Sequence, residues 1–151
     1  MIIITRTDPH DPQATALLHD SHALMQSLFP PEDNFYLSID DLCASNIAFF
    51  TAREGETMLG TAALAVKDTY AEIKSMFVAE NARGRGVGDA LMRQLEDHAK
   101  TEFVRHLKLE TGNVLHAAHR LYGRHGFTVC GPFGDYTDAA SSVFMEKSLW
   151  D

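Results

Sequence analysis

The chain has 151 residues and a mass of 16.8 kDa, and its 45% hydrophobic and 23% charged side chains are typical of one globular domain. No apolar run approaches the roughly 18 to 20 residues that a membrane-spanning helix needs, and the N-terminus lacks the basic segment of a secretory signal. The net charge of −8 opposes nucleic-acid binding. We therefore expect a single domain over residues 1–151 that binds neither a membrane nor nucleic acid.

The negative charge is concentrated in the first half of the chain. Residues 1–70 carry three basic and ten acidic side chains, a net charge of −7, whereas residues 71–151 have a net charge of −1. Within residues 83–124 the sign reverses to +3. This distribution favours an anion-binding segment in the second half of the chain.

The first part of the chain predicts a strand, a helix and a polar connection. Residues Ile2–Ile4 form the strand, and Asp11 and Pro12 then provide the N-cap and the first turn of the helix. Residues 32–46 are polar and rich in turn-forming side chains, with one helical turn expected at Ile39–Leu42. Such a stretch is typical of a mobile lid or a pocket wall.

The remaining elements have the lengths and spacing of a mixed α/β fold. Gly55 supplies a hairpin turn, and Gly126 ends the last helix. The predicted strands are Ile47–Ala52, Met58–Val66, Ala71–Val78, Leu107–Glu110, Phe127–Cys130 and Ser142–Leu149, and the predicted helices are Val87 to about Phe103 and Leu115–Arg124. Side chains alternate along the strand Ala71–Val78, which places Glu72, Lys74 and Met76 on one face.

The cysteines and histidines do not form a recognisable metal motif. The pairs His19 with His22 and His116 with His119 have a helical spacing that can bind a metal ion, but no cysteine or paired acid completes either set. The two cysteines, residues 43 and 130, also lack metal-type spacing, and free thiols are typical of a reducing compartment. The sequence therefore predicts no metal site and a cytoplasmic location.

A glycine-rich loop joins the strand Ala71–Val78 to the following helix. Its sequence is Arg83-Gly-Arg-Gly-Val-Gly88. Glycine permits unusual φ values and a close approach of the backbone, so several N–H groups can converge on one anion at the positive end of the helix. The loop therefore predicts a binding site for a pyrophosphate group.

Two other nucleotide-binding motifs fit this loop less well. It lacks the Lys-Ser/Thr ending of a P-loop. In the dinucleotide fingerprint G-x-G-x-x-G the third glycine stands one residue later, where this chain has Asp89. Glu110 does mimic the acidic residue that binds the ribose in that fold, so a dinucleotide-binding oxidoreductase stays open as an alternative.

Two motifs together resemble the GNAT superfamily of N-acyltransferases. Arg83-Gly-Arg-Gly-Val-Gly88 is similar to the acyl-CoA loop of that family, and Ala118-His-Arg-Leu-Tyr122 followed by Gly126-Phe127 is similar to its A-x-x-L-Y…G-F signature. The resemblance covers roughly residues 47–149 and extends to small bacterial members whose acceptors are mostly unassigned. It implies a single α/β domain with a mixed, mostly antiparallel central sheet of about seven strands flanked by helices. It also implies acetyl-CoA as cosubstrate and no metal.

The resemblance assigns catalytic roles to residues of this chain. Tyr122 matches the tyrosine whose hydroxyl lies near the CoA sulfur, where it protonates the leaving thiolate. Glu72 falls where some members carry a glutamate that accepts the amine proton. The backbone N–H of Val78, with Met76 and Phe77 beside it, corresponds to the group that binds the thioester carbonyl oxygen.

The resemblance also implies a set of cofactor contacts. Arg83 and Arg85 would complement the phosphates with charge, while the glycines supply N–H groups. The family often has an asparagine three residues before Ala118, but this chain has Leu115 there, and Asn113 is a weak substitute two residues away. The predicted cofactor-binding residues are Met76, Phe77, Val78, Arg83, Gly84, Arg85, Gly86, Val87, Gly88 and Asn113.

These assignments predict an N-acetyltransferase that moves an acetyl group from acetyl-CoA to a primary amine by direct transfer in a ternary complex. The acceptor is a small molecule or a peptide, Tyr136 and Ser142 are candidates for its pocket, and the acidic first half favours a cationic amine. A non-catalytic acyl-CoA sensor on the same fold stays open as an alternative. The sequence also leaves open whether the protein forms a homodimer.

Overall fold

The computed structural model describes residues 1–150, which form seven strands and three α-helices. The strands are β1 (Ile2–Arg6), β2 (Ile47–Glu54), β3 (Thr57–Val66), β4 (Ala71–Val78), β5 (His106–Gly112), β6 (Thr128–Cys130) and β7 (Ser142–Ser148), and the helices are α1 (Pro12–Leu28), α2 (Val87–Thr101) and α3 (His116–Arg124). Short 3-10 helices cover Pro31–Asp33, Asp41–Cys43 and Glu80–Ala82. Among the described residues, no helix is both long and apolar enough to cross a bilayer.

All seven strands belong to one sheet, in the order β1-β2-β3-β4-β5-β7-β6. Every neighbouring pair is antiparallel except β4 and β5, which are parallel. A parallel pair needs a crossover connection, and α2 supplies it. The predicted mixed, mostly antiparallel sheet of seven strands flanked by helices is confirmed.

The central strands are buried on both faces of the sheet. Phe50 packs in the cluster that α2 covers with Leu91 and Leu95, whereas its neighbour Phe49 packs with Leu18 of α1 in a second cluster. Successive side chains of a strand point to opposite faces, so α2 and α1 lie on opposite sides of the sheet. Because both faces are buried, the sequences of β2 and β3 are continuous apolar runs and do not alternate between apolar and polar residues.

A bulge in β4 changes the faces of its side chains. The register between β3 and β4 shifts by one residue, and Ser75 has a positive φ of 54°. Before the bulge, Ile73 packs in the cluster under α2, and after it Met76 packs against that same cluster. The expectation that Glu72, Lys74 and Met76 share one face is therefore wrong, because the extra residue moves Met76 to the face of α2.

The same bulge separates β4 from β5. The two strands pair only at Ala71–Leu107 and Glu72–Lys108, although both continue beyond these pairs. Thr61 of β3 donates a hydrogen bond from its hydroxyl to the Ser75 carbonyl oxygen at 2.8 Å and so holds the bulge on the β3 side. A gap therefore opens between the carboxyl ends of the only parallel pair of the sheet.

A glycine in β3 allows the elements next to this gap to pack closely. A Cβ on Gly60 would lie 2.8 Å from the carbonyl oxygen of Phe77 and 3.1 Å from Cγ1 of Val87, at the start of α2. The carbonyl oxygen belongs to the backbone and cannot rotate away. Gly60 is therefore required by the packing of β4 and α2 against β3.

We expect Gly60→Ala to lower the free energy of unfolding by about 1–3 kcal/mol, the usual cost of overpacking a core. Gly123 of α3 is the matched control, because a Cβ there has no neighbour within 4 Å. Gly123→Ala should raise the free energy of unfolding by about 0.5–1 kcal/mol through helix propensity. Urea denaturation of the two variants and the parent measures both changes, and equal midpoints for the two variants would contradict the packing argument.

Candidate active site

The glycine loop between β4 and α2 has a backbone suited to an anion. Gly84 and Gly86 have φ values of 78° and 82°, a region that other residues rarely adopt. A Cβ at either position would have no neighbour within 4 Å, so the outer side of the loop is open. Gly86 is also the N-cap of α2, whose first N–H groups have no partner within the helix. This geometry fits a pyrophosphate group.

The two loop arginines lie at the surface. Arg83 donates a hydrogen bond from Nε to the carbonyl oxygen of Val78 at 3.4 Å. Arg85 forms an ion pair with Glu54 at the end of β2, and this contact holds the pKa of the Glu54 carboxyl below its usual range. Exposed pairs of this kind contribute little to stability, so Arg85 can exchange this partner for a phosphate at small cost.

The last two residues of the loop motif, Val87 and Gly88, take part in the packing of α2. Val87 is 1% exposed and belongs to the core. A Cβ on Gly88 would lie 3.1 Å from Leu121, so this glycine lets α3 approach α2. Val87 and Gly88 can therefore contribute only their backbone N–H groups to an anion site.

Backbone N–H groups of β4 face the gap. Ala79 donates its N–H to the carbonyl oxygen of Leu59 in β3 at 2.8 Å. Because N–H directions alternate along a strand, the N–H groups of Val78 and Met76 point the other way, toward β5. The ladder between β4 and β5 has already ended at Glu72, so these N–H groups can bind an oxyanion.

A cavity of about 120 Å³ fills the gap between β4 and β5. Met76 and Tyr122, both predicted as site residues, line it together, and Leu115 takes part in its wall. Phe29, which follows α1, also lines the cavity, and its ring packs against Gly112, where a Cβ would lie 2.1 Å from the ring. The structure therefore brings the tyrosine and the open edge of β4 to one small chamber.

Tyr122 enters this cavity with a protonated hydroxyl that can donate a hydrogen bond but cannot act as a base. Its side chain is 5% exposed. Burial, with a smaller contribution from the negative charge of Glu110, raises the pKa of its hydroxyl well above the usual value. The group therefore stays protonated at neutral pH.

Glu110 of β5 lines the same cavity, although the family resemblance assigns it no role. Ser142 of β7 donates a hydrogen bond from its hydroxyl to the Glu110 carboxylate at 2.8 Å. Burial nevertheless raises the pKa of Glu110 above its usual range, against the effects of Ser142 and of the Lys74 charge. A signal was present in the sequence, because Glu110 is an acidic residue at the end of the predicted strand Leu107–Glu110, which follows the loop and its helix.

Glu72 lies in a second cavity, of about 700 Å³, rather than beside Tyr122. It is 6% exposed, accepts a hydrogen bond from the hydroxyl of Tyr136 at 2.5 Å and lies 3.5 Å from Nζ of Lys74. Lys74 also donates hydrogen bonds to the Tyr136 hydroxyl and to the carbonyl oxygen of Phe35, each at 2.9 Å. Lys74 and Phe35 line both cavities, so they form the partition between them.

Asn113 follows β5 and does not line the smaller cavity, whereas Leu115 does. The backbone N–H of Asn113 donates a hydrogen bond to the carbonyl oxygen of Ser141 at 2.8 Å, and the side-chain amide of Asn113 donates one to the carbonyl oxygen of Ala140 at 3.4 Å. These bonds hold the chain that leads into β7. A contact between Asn113 and the cofactor stays a prediction.

Comparisons with known proteins identify the family. A family model described as Acetyltransferase (GNAT) family matches residues 14–127. An IAA acetyltransferase of Azospirillum brasilense is 36% identical over 151 residues, which is 98% of each chain. A structure from Klebsiella pneumoniae described as an acyl-CoA N-acyltransferase has a TM-score of 0.84 at 28% identity, with 99% of each chain covered.

A more distant structure shares the fold. A GNAT acetyltransferase of Elizabethkingia anophelis, solved with acetyl-CoA bound, has a TM-score of 0.70 at 20% identity over 97% of each chain. The family match favours acyl transfer over the dinucleotide-binding alternative. With the fold, the family model and the relatives in agreement, this chain belongs to the GNAT acetyltransferase family and is an acyltransferase.

Proposed function

We propose that the protein transfers an acetyl group from acetyl-CoA directly to a primary amine of a small molecule or peptide, with both substrates bound together. The observation that carries this proposal is the cavity between β4 and β5, whose lining includes Tyr122, Glu110 and, from the open edge of β4, Met76. The Azospirillum relative is an acetyltransferase by name, and the Elizabethkingia neighbour binds acetyl-CoA. Both support acetyl-CoA as the donor.

The donor would be held by backbone groups at two places. The pyrophosphate binds the N–H groups of the loop from Gly84 to Gly88, with the charges of Arg83 and Arg85 close by. The thioester carbonyl oxygen accepts hydrogen bonds from the Val78 and Met76 edge of β4. These donors are fixed before the reaction and stabilise the negative charge that develops on this oxygen.

Glu110 is the base that the geometry favours. A primary amine is largely protonated at neutral pH and attacks only after losing a proton. A carboxylate whose pKa is raised by burial is a stronger base than an exposed one, and Glu110 lies in the cavity that also holds Tyr122. Glu72, the base suggested by resemblance, is engaged with Tyr136 and Lys74, and its proposed contribution is to position these two groups.

Tyr122 would assist departure of the CoA thiolate. When the tetrahedral intermediate collapses, the carbon–sulfur bond breaks and negative charge grows on sulfur. The Tyr122 hydroxyl donates a hydrogen bond to the sulfur, and because burial disfavours the phenolate, the thiolate takes the second proton that the attacking nitrogen releases rather than the phenol proton. Neither Cys43 nor Cys130 lines the cavity, which supports direct transfer without an acyl-cysteine intermediate.

The two cavities suggest how the acceptor binds. A space of about 120 Å³ is close to the size that holds one benzene ring, so it accommodates the reacting groups and little more. The rest of the acceptor extends past Lys74 into the larger cavity, where Glu72, Asp41 and Asp135 contribute to the wall. With Glu110 in the smaller cavity, these carboxylates favour a cationic acceptor.

A screen of acceptors tests the proposed function. We expect thiol release from acetyl-CoA with polyamines or lysine-like amines at a kcat/KM above that for neutral or anionic amines, because the cavity walls are acidic. The measurement is thiol release over amino acids, polyamines, aminoglycosides and peptides. Higher rates with anionic acceptors would contradict the preference, and thermal stabilisation by acetyl-CoA without any thiol release would favour the sensor.

Tyr122→Phe tests the role of the hydroxyl. It keeps the ring and its packing, so we expect unchanged folding, nearly unchanged KM for acetyl-CoA and a decrease in kcat of about 10- to 100-fold, near the low end of acid–base effects. Steady-state kinetics with a primary amine measures this change. An unchanged kcat would remove Tyr122 from the reaction.

Glu110→Gln and Glu72→Gln form a matched pair that separates the two candidate bases. Glu110→Gln should lower kcat by about 100-fold or more because the base is lost. Glu72→Gln should lower kcat less, because it only displaces Tyr136 and Lys74. The pH profiles of kcat/KM for the two variants measure the difference, and a larger loss in Glu72→Gln would return the base assignment to Glu72.

The stability of Glu110→Gln provides the control against misfolding. A carboxyl whose pKa is raised in the folded protein favours folding when it is protonated, and this contribution is lost as the pH rises through its folded pKa. Glutamine stays neutral and can still accept the hydrogen bond from Ser142. The variant should therefore be more stable than the parent at pH 7 and equally stable below about pH 4, as measured by thermal unfolding.

A further inference from the structure

Three side chains with metal-binding atoms meet outside both cavities. Asp8 and His10 precede α1, and Cys43 ends the 3-10 helix Asp41–Cys43, so the turn before α1 and a distant turn come together. We propose that Asp8, His10 and Cys43 bind one zinc ion, with water as the fourth ligand. This proposal is independent of the acetyltransferase chemistry.

The distances between the ligand atoms match those around a tetrahedral zinc ion. Nδ1 of His10 lies 3.4 Å from Oδ1 of Asp8 and 3.5 Å from Sγ of Cys43, and the three ligand atoms lie within 4.8 Å of one another. Zinc bonds of about 2.0–2.1 Å to nitrogen and oxygen and about 2.3 Å to sulfur, at tetrahedral angles, separate such atoms by about 3.4 and 3.6 Å. An ion therefore fits among them without a large movement.

A fourth side chain orients the histidine. Oδ1 of Asp40 lies 2.9 Å from Nε2 of His10. When Nε2–H donates to this carboxylate, the lone pair of Nδ1 is directed toward Asp8 and Cys43. Zinc-bound histidines commonly have such a carboxylate partner, which fixes the tautomer and the ring. Asp40 is therefore a positioning residue.

The donor set determines the type of metal. Thiolate and imidazole ligands favour zinc and disfavour magnesium and calcium, which prefer oxygen. The thiol of Cys43 contacts the carbonyl oxygen of Ile39 at 3.5 Å. On binding, the S–H bond breaks, its proton leaves to solvent and the thiolate forms the bond to zinc, without any redox change.

The site would fasten the segment that covers the cavities. Cys43 follows residues 29–42, which include Phe35, and Phe35 lines both cavities. Asp8 and His10 lie at the start of α1. A zinc ion would therefore tie the end of this segment to the first helix, and we expect it to raise the melting temperature.

Cobalt titration of the reduced full-length protein tests the site, because Co²⁺ bound by a thiolate in a tetrahedral site gives a charge-transfer band and strong visible absorption. We expect one ion per chain, displaced by zinc. Cys43→Ser should abolish the charge-transfer band, and His10→Gln should lower the zinc affinity at least tenfold. Asp40→Asn, which removes only the partner of the histidine, should lower it by about 10-fold or more.

Cys130→Ser is the matched control, since Cys130 is the other free cysteine and lies outside the cluster. It should keep the charge-transfer band and the affinity of the parent. The proposal is overturned if cobalt gives no thiolate band, if Cys43→Ser binds zinc like Cys130→Ser, or if affinity is lost in His22→Gln but not in His10→Gln.

Discussion

The candidate site depends on the bulge at Ser75. One extra residue in β4 shifts the register with β3, and the hydrogen bond from Thr61 satisfies the carbonyl oxygen that the shift displaces. A positive φ at a residue with a side chain costs on the order of 1 kcal/mol or more, so the fold retains local strain here. Without the bulge, the parallel ladder would continue, and the N–H groups of Met76 and Val78 would pair with β5 and could not make the proposed oxyanion contact.

The same strand connects the two halves of the proposed donor site. β4 carries the open backbone edge, and the loop that follows it leads directly into α2. Gly60 and Gly88 let α2 pack closely on β3 and on α3. Since the buried face of α2 fixes its N-terminus relative to the sheet, core packing sets the distance between the glycine loop and the cavity that lies between β4 and β5.

Sequence reasoning identifies the local features of this protein and misses the ones that depend on register. The apolar period of α2 and the glycines before it are encoded in adjacent residues, and the structure confirms that helix and the positive φ of Gly84 and Gly86. The bulge has no comparable signal, because serine is not a residue that marks a positive φ. Alternation therefore assigned Met76 to the wrong face. The place of Glu110 in the cavity that Tyr122 also lines depends on how separate elements pack, which adjacent residues do not indicate.

The partial burial of Glu110 fits the proposed role as a base better than a role in packing. Its neighbours Leu109 and Thr111 are buried, and an apolar or amide side chain at 110 would avoid the cost of removing a carboxylate from water. Ser142 supplies a single hydrogen bond, which does not restore the usual pKa. A positively charged amine entering the cavity would supply the missing compensation. In the proposed mechanism, the partly buried negative charge favours a cationic acceptor, and accepting the proton from that amine would remove the charge whose burial is costly.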